Sequence, residues 1–164
     1  MKPDAHILST AVGRMPGVPL NVYALRGSTY SVIIDTGIAA MADAIVEMCR
    51  QAGEVRYGLI THAHADHIGC NRAVRAATGA RFAAAGAFEW IEHLDAHYRA
   101  FCLVDEAELP DSPAQRAEIF GLMDGEVHVD IGLAEGTHFR LGDELTLETL
   151  ALPGHQLEEV GFLD

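Results

Sequence analysis

Four side chains that can bind a metal ion are crowded into one short stretch of this 164-residue sequence. The segment THAHADHIG contains His62, His64, Asp66 and His67. Imidazole nitrogens and carboxylate oxygens are common ligands of zinc and related divalent cations. A lone aspartate can cap a helix, and a lone histidine near a strand end often has only a structural role. Helix capping would need only one of the four residues, so the group as a whole predicts a metal site.

A fifth candidate ligand lies far along the chain. His155 occurs in a Pro-Gly-His turn just after an apolar, strand-like segment. Ligands in α/β proteins gather on loops at strand ends, so both histidine-bearing segments occupy suitable positions. The turn alone does not distinguish a ligand from an ordinary surface histidine.

The elements that must position these residues can be predicted from local patterns. Alternating apolar residues predict a hairpin over 18–37, with a turn at Arg26-Gly27-Ser28. Helical spacing of apolar residues predicts a helix over 39–53, and a second helix over 71–79 follows the histidines. A short apolar strand over 57–61 leads directly into the histidine segment.

The second half of the sequence begins with helical patterns and returns to strands. A helical insertion is predicted over about residues 86–126, with one helix running from Ala87 to Phe101 and another helical piece at 114–123. Strands are then predicted over three segments: 126–130, 144–152 and 158–164. The predicted fold class is therefore α/β, with helices and strands mixed within a single domain.

Composition narrows the class of protein. Hydrophobic residues make up 49% of the chain and the net charge is −13, which suits a folded domain and disfavours nucleic acid as a partner. No apolar run is long enough to span a membrane, and the amino terminus lacks the pattern of a secretory signal. Three cysteines without paired spacing predict a reducing, cytoplasmic location.

Three segments resemble one family. HAHADH resembles the HxHxDH signature of the metallo-β-lactamase-fold hydrolase superfamily, VIIDTG resembles the strand and turn before that signature, and ALPGHQLEEVGFL resembles the later Pro-Gly-His segment. The resemblance implies an αββα sandwich. It also implies that residues 1–164 are one incomplete domain, comprising the amino-terminal half of that fold and the start of the other half.

The resemblance also implies a ligand set. His62, His64 and His155 would hold one metal ion, and Asp66 and His67 would belong to a second. The expected cofactor is zinc, one or two ions, with iron or manganese as alternatives. Asp35, before Thr36-Gly37, is either the aspartate that orients the histidine loop in this family or a plain turn residue.

The sequence departs from the family at its end. Members with two metals add a bridging aspartate and a final histidine, and neither follows His155. We therefore expect the missing ligands to come from a removed segment or another chain. Exposed sheet surface predicts association, with a second copy as a homodimer or with a missing-half partner.

The resemblance implies a metal-dependent hydrolase acting on a small-molecule ester, thioester, lactone or amide-type bond, with Asp66 as the catalytic residue that orients water. Glyoxalase-II-like thioester hydrolysis and lactone hydrolysis are the leading predictions. Two alternatives stay open: an iron-dependent oxidative relative of the persulfide dioxygenase or flavodiiron type, and a non-catalytic metal-binding or assembly module. A set of insertion side chains would either line a substrate pocket or, as helical spacing favours, pack in the core: Phe88, Trp90, Ile91, Tyr98 and Phe101.

Overall fold

The computed structural model describes residues 4–11, 19–104 and 110–164. The strands of this part of the chain are β1 (Asp4–Ala11), β2 (Pro19–Arg26), β3 (Ser31–Ile34), β4 (Val55–Leu59), β5 (Arg81–Ala84), β6 (Ile131–Gly132), β7 (His138–Arg140), β8 (Thr146–Ala151) and β9 (Val160–Leu163). The helices are α1 (Ala42–Ala52), α2 (Ala65–Ile68), α3 (Asn71–Thr78), α4 (Phe88–Glu92), α5 (Leu94–Phe101) and α6 (Pro113–Phe120).

The strands form two sheets. The larger sheet has the order β1-β2-β3-β4-β5-β6, and the smaller has the order β7-β8-β9. β1 to β3 are antiparallel neighbours, whereas β3 to β6 are parallel neighbours joined through helices. The predicted hairpin over 18–37 is confirmed, since Arg26 of β2 pairs with Ser31 of β3.

The helices cover one face of the larger sheet. α1 buries Ile45, Met48 and Cys49 against that face. It ends where Gly53 adopts a positive φ of 90°, and α3 ends at Gly79 with a φ of 73°, a backbone region that glycine adopts without the steric penalty of a Cβ. Both predicted helix ends are confirmed.

The other face of the larger sheet packs on the smaller sheet. Val32 and Leu59 of the larger sheet share a buried cluster with Phe139 and Leu147 of the smaller one and with Leu141, which follows β7. Because side chains alternate between the two faces of a strand, Ile33, next to Val32, points to the helical side instead. The described residues thus form a helical layer followed by two sheets, which confirms the predicted α/β class and matches three layers of the predicted αββα sandwich.

Two predicted elements were wrong, and three strands were missed. The helix predicted from Ala87 to Phe101 is two helices, because His93 between α4 and α5 has extended dihedral angles (φ −136°, ψ 108°). The strand predicted over 126–130 is absent from the described structure, and pairing with β5 begins at Ile131. β1, β5 and β7 were not predicted.

No helix within the described residues has the length and apolar character needed to cross a membrane. The assignment of residues 1–164 to one incomplete domain, and the expected association with a second copy or a missing-half partner, stay predictions.

Candidate metal centre

The histidine segment begins where a central strand ends. β4 stops at Leu59, and the loop that follows leads into α2. Ile34 of β3 is in register with Leu59, so the residues that follow these two parallel strands emerge side by side. Gly69 allows this region to pack tightly, because a Cβ there would lie 2.4 Å from the carbonyl oxygens of Gly37 and Leu122. The close backbone packing fixes the loop against the end of the sheet.

Three predicted ligands converge at this loop. One candidate ligand atom from each of His62, His64 and His155 lies within 4.8 Å of the others. His155 Nε2 faces His64 Nδ1 at 3.0 Å although the two residues are 91 positions apart. The ring centroid of His62 lies 4.7 Å from that of His64 and 4.9 Å from that of His155. Two loops from different sheets therefore bring three imidazoles to one point.

The chemistry of this group fits a divalent cation. His62 is 7% exposed, and its Nε2 atom is buried without a hydrogen-bond partner. Burial, together with the neighbouring imidazoles, lowers the pKa of His62 to about 3, and burial also lowers the pKa of His64. A cation is bound by neutral imidazole, so these two rings are held in the required state. The unpaired nitrogen of His62 is what a cation at this point would satisfy.

Asp66 and His67 lie directly beside the three imidazoles. The ring centroids of His62 and His67 are 4.0 Å apart, and His67 Nε2 lies 3.8 Å from Asp66 Oδ2. The two side chains predicted for a second metal ion are thus adjacent. Within the part of the chain that the structure describes, they join no group of three potential ligands, and the only such group is the one formed by the three imidazoles.

Asp35 connects the two strand ends. Its buried carboxylate accepts hydrogen bonds from the Thr61 backbone N–H at 2.9 Å and the Thr61 hydroxyl at 2.8 Å, and it lies 2.7 Å from His67 Nδ1. Burial lowers the pKa of His67, but the hydrogen bond to Asp35 and the nearby carboxylate charges more than offset this, so the net shift is upward. These contacts favour the positioning role over a plain turn aspartate. Because Asp35 contacts Nδ1 of His67, the other ring nitrogen, Nε2, faces away from Asp35.

A cleft of about 510 Å³ opens over the site. Its lining combines polar side chains, among them Asp66, His67 and His155, with the apolar side chains of Leu20, Tyr23 and Leu152.

The insertion side chains predicted for a pocket are not among the residues that line this cleft. Ile91 and Tyr98 are buried in the helical core, as helical spacing favoured. Phe101 contacts the centre directly, since its ring packs edge-on against His64 with 5.4 Å between the centroids.

Two residues at the site were not predicted from the sequence. Thr61 bridges Asp35 and His62, because its hydroxyl lies 3.1 Å from His62 Nδ1. The Gln156 side chain accepts a hydrogen bond from the Ala63 backbone N–H at 3.0 Å. Thr61 could have been suspected from its place next to the first histidine, whereas no local pattern marks Gln156.

Comparison with known proteins agrees with this geometry. The family model described as the metallo-beta-lactamase superfamily matches residues 15–156. A curated relative, the probable metallo-hydrolase YybB of Bacillus subtilis (strain 168), is 30% identical over 78 residues, which are 48% of this chain and 28% of that protein.

Solved structures match over most of this chain. A subclass B3 metallo-beta-lactamase of Bradyrhizobium japonicum is 25% identical with a TM-score of 0.65, covering 87% of this chain and 49% of its own. A metallo-beta-lactamase family protein of Thermus thermophilus is 19% identical with a TM-score of 0.67, covering 96% of this chain and 55% of its own, and it shows the fold alone. The chain therefore spans about half the length of the solved structures that it matches.

Proposed function

Because the chain belongs to the metallo-beta-lactamase superfamily, we propose that it is a metal-dependent hydrolase of small acyl compounds. The observation that carries the proposal is the convergence of three imidazoles on one point, with the buried His62 Nε2 unpaired. A buried polar atom without a partner costs free energy, so its presence here supports a site built for a ligand.

His62, His64 and His155 would hold the cofactor, for which zinc is the best match to an all-imidazole set. When bound, a divalent cation supplies Lewis acidity toward a carbonyl oxygen and lowers the pKa of a water molecule toward neutrality. The pKa of His62, about 3, keeps its ring neutral at neutral pH, and burial also lowers the pKa of His64. The fold therefore holds these two ligands in the state that metal binding requires.

Asp66 is the residue proposed to act on water. Its side chain is partly exposed, lines the cleft and stands beside His67. From this position the carboxylate can accept a hydrogen bond from a water molecule and orient it toward a substrate in the cleft. Asp35 holds His67 by Nδ1, which fixes the ring that flanks Asp66. Asp35 is thus a positioning residue and Asp66 a catalytic one.

The cleft supports a substrate with an apolar portion. Leu20, Tyr23 and Leu152 line the same cleft as the histidines, and Tyr23 and Leu152 are exposed. An acyl chain or ring packed on these apolar residues could place its carbonyl group near Asp66 and His67, which line the same cleft. Thioesters and lactones meet this description and are the proposed substrate classes.

The test is purification with Zn²⁺, metal analysis, and a hydrolysis assay on four probes: an aryl ester, an acyl thioester, an acyl lactone and a β-lactam. We expect about one equivalent of zinc and turnover of the thioester or lactone. Asp66→Asn should lower kcat by at least about 100-fold, the range of a lost general base. Asp143→Asn, which changes an exposed carboxylate in the turn before β8, is the matched control.

Other outcomes would redirect the proposal. Iron in place of zinc, without hydrolysis of any probe, would favour the oxidative relatives. Firm zinc binding with no turnover of any probe would refute the hydrolase and leave a metal-binding module. A protein that retains no divalent cation would refute the metal centre itself.

A further inference from the structure

One ligand of the candidate metal centre lies on an exposed loop. His155 belongs to the segment 152–159, in which most residues are exposed, whereas His62 is buried at the end of the larger sheet. The loop closes on itself through backbone hydrogen bonds from Leu152 N to Glu159 O and from Gly154 N to Gln156 O. These bonds shape the loop but do not hold it against the other histidines.

Besides the contact between His155 Nε2 and His64 Nδ1, two hydrogen bonds join this region to the histidine segment. Val160 N donates to Thr61 O at 2.9 Å, at the start of β9. The Gln156 side-chain oxygen accepts from Ala63 N at 3.0 Å. The second bond is the closer to the imidazoles in sequence, because Gln156 follows His155 and Ala63 lies between His62 and His64.

The donor of this bond determines which atom of the Gln156 amide faces Ala63. A backbone N–H can only donate, so the Gln156 amide must present its oxygen to Ala63. Ala63 is 2% exposed, so its N–H depends on a protein acceptor. Removing that acceptor would leave a buried donor unpaired and release the residue next to His155.

We infer that Gln156 is a positioning residue, which holds His155 against His62 and His64 by accepting the hydrogen bond of the Ala63 backbone. The inference rests on the metal site of the proposed function and requires no particular substrate. A group that orients a metal ligand typically changes affinity by about 10-fold to 100-fold when it is removed. Loss of the Gln156 acceptor should therefore lower metal affinity, and it should also lower the stability of the metal-free protein, because the Ala63 N–H would be left unpaired.

The test compares three variants in the metal-free protein and during titration with Co²⁺ and Zn²⁺ against a chromophoric chelator. Gln156→Met keeps the side-chain length and removes the acceptor. Gln156→Glu keeps an acceptor oxygen at the same position. Gln51→Met, on the exposed surface of α1, is the matched control for the loss of a glutamine amide.

We expect Gln156→Met to weaken cation binding by about 10-fold or more at a temperature at which both variants are folded. The thermal midpoint of metal-free Gln156→Met should lie below that of Gln51→Met, because only Gln156→Met leaves the buried Ala63 N–H without its acceptor. Gln156→Glu should bind at least as well as the wild type. Amide hydrogen exchange at Ala63, followed by NMR, should be faster in Gln156→Met and restored in Gln156→Glu. Restored exchange separates a recovered hydrogen bond from a simple effect of added negative charge.

Unchanged affinity in Gln156→Met would overturn the inference, as would a Gln156→Glu variant as weak as Gln156→Met. These results would leave the hydrolase proposal standing, because they concern one positioning contact. Wild-type binding with no hydrolysis of any probe would refute only the hydrolase. A wild type that binds no cation would refute both.

Discussion

Asp35→Asn should destabilise the metal-free protein and alter the state of His67. The wild-type carboxylate accepts from the Thr61 N–H and hydroxyl and contacts His67 Nδ1, all within 2.9 Å. Asparagine can still accept from the Thr61 N–H, but its NH₂ group then faces the other two partners. Asparagine also tolerates the positive φ of 57° at this position, so the backbone adds little strain.

The expected loss follows from the two charge-assisted contacts. A hydrogen bond to an ionised group contributes about 1.5–3 kcal/mol, and solvent can recover part of that at the partly exposed Thr61. We therefore expect the free energy of unfolding to fall by about 2–3 kcal/mol. Asp35→Ala should lose about 1 kcal/mol more, because alanine is strained at this φ and cannot accept any of the bonds. Asp43→Asn, an exposed carboxylate on α1, controls for the change in net charge.

Urea unfolding monitored by circular dichroism measures the loss, and NMR titration measures the pKa of His67. The pKa should be lower in Asp35→Asn than in the wild type, because burial would still lower it and the hydrogen bond that raises it would be gone. An unfolding free energy equal to that of Asp43→Asn, with an unchanged His67 pKa, would refute the assigned role of Asp35.

Other contacts give three further predictions. Gly69→Ala should destabilise the protein by about 2 kcal/mol or more, because the added Cβ would overlap two backbone carbonyl oxygens. The control Gly79→Ala should cost only about 1 kcal/mol, since a Cβ there meets no atom and only the positive φ is unfavourable. Equal losses of the two variants in urea unfolding would show that the overlap is relieved. Phe101→Ala should weaken zinc binding several-fold relative to Phe88→Ala, since only the first ring is packed on His64; equal affinities in the chelator assay would contradict this. The pKa of His62 is about 3 in the folded protein and near 6.5 in the unfolded chain. As the pH falls from about 6.5 toward 3, only the unfolded chain binds a proton at this ring, so the free energy of unfolding of the metal-free protein should decrease. The free energy of unfolding of His62→Gln should decrease less over that pH range. If the free energies of unfolding of the wild type and His62→Gln change in parallel with pH, the His62 ring is not buried as described.

The sequence predicted those helices and strands that are determined by residues close together in the chain. The hairpin of β2 and β3 and the helices α1 and α3 follow from alternation, helical spacing and glycine stops. The crowding of metal ligands in residues 62–67 similarly indicated where chemistry would occur.

What the sequence could not predict depends on distant partners. Val127 and Val129 alternate like a strand, yet both are buried in the helical core and Val129 N bonds to Glu92 in place of a neighbouring strand. The break at His93 lies within one run of helical spacing and becomes visible only when α4 and α5 pack separately. Gln156 carries no local signal, because its role depends on a residue 93 positions away.

The meeting of His64 and His155 across 91 positions has a mechanical consequence. His64 follows a strand of the larger sheet and His155 precedes β9 of the smaller sheet, so an ion bound by both would be a reversible cross-link between the two sheets. At a free ion concentration 100 times its dissociation constant, this cross-link would add about 2.7 kcal/mol to the free energy of unfolding. A chelating agent would then behave as a mild denaturant, and we expect proteases to cut the β8–β9 loop sooner in its presence.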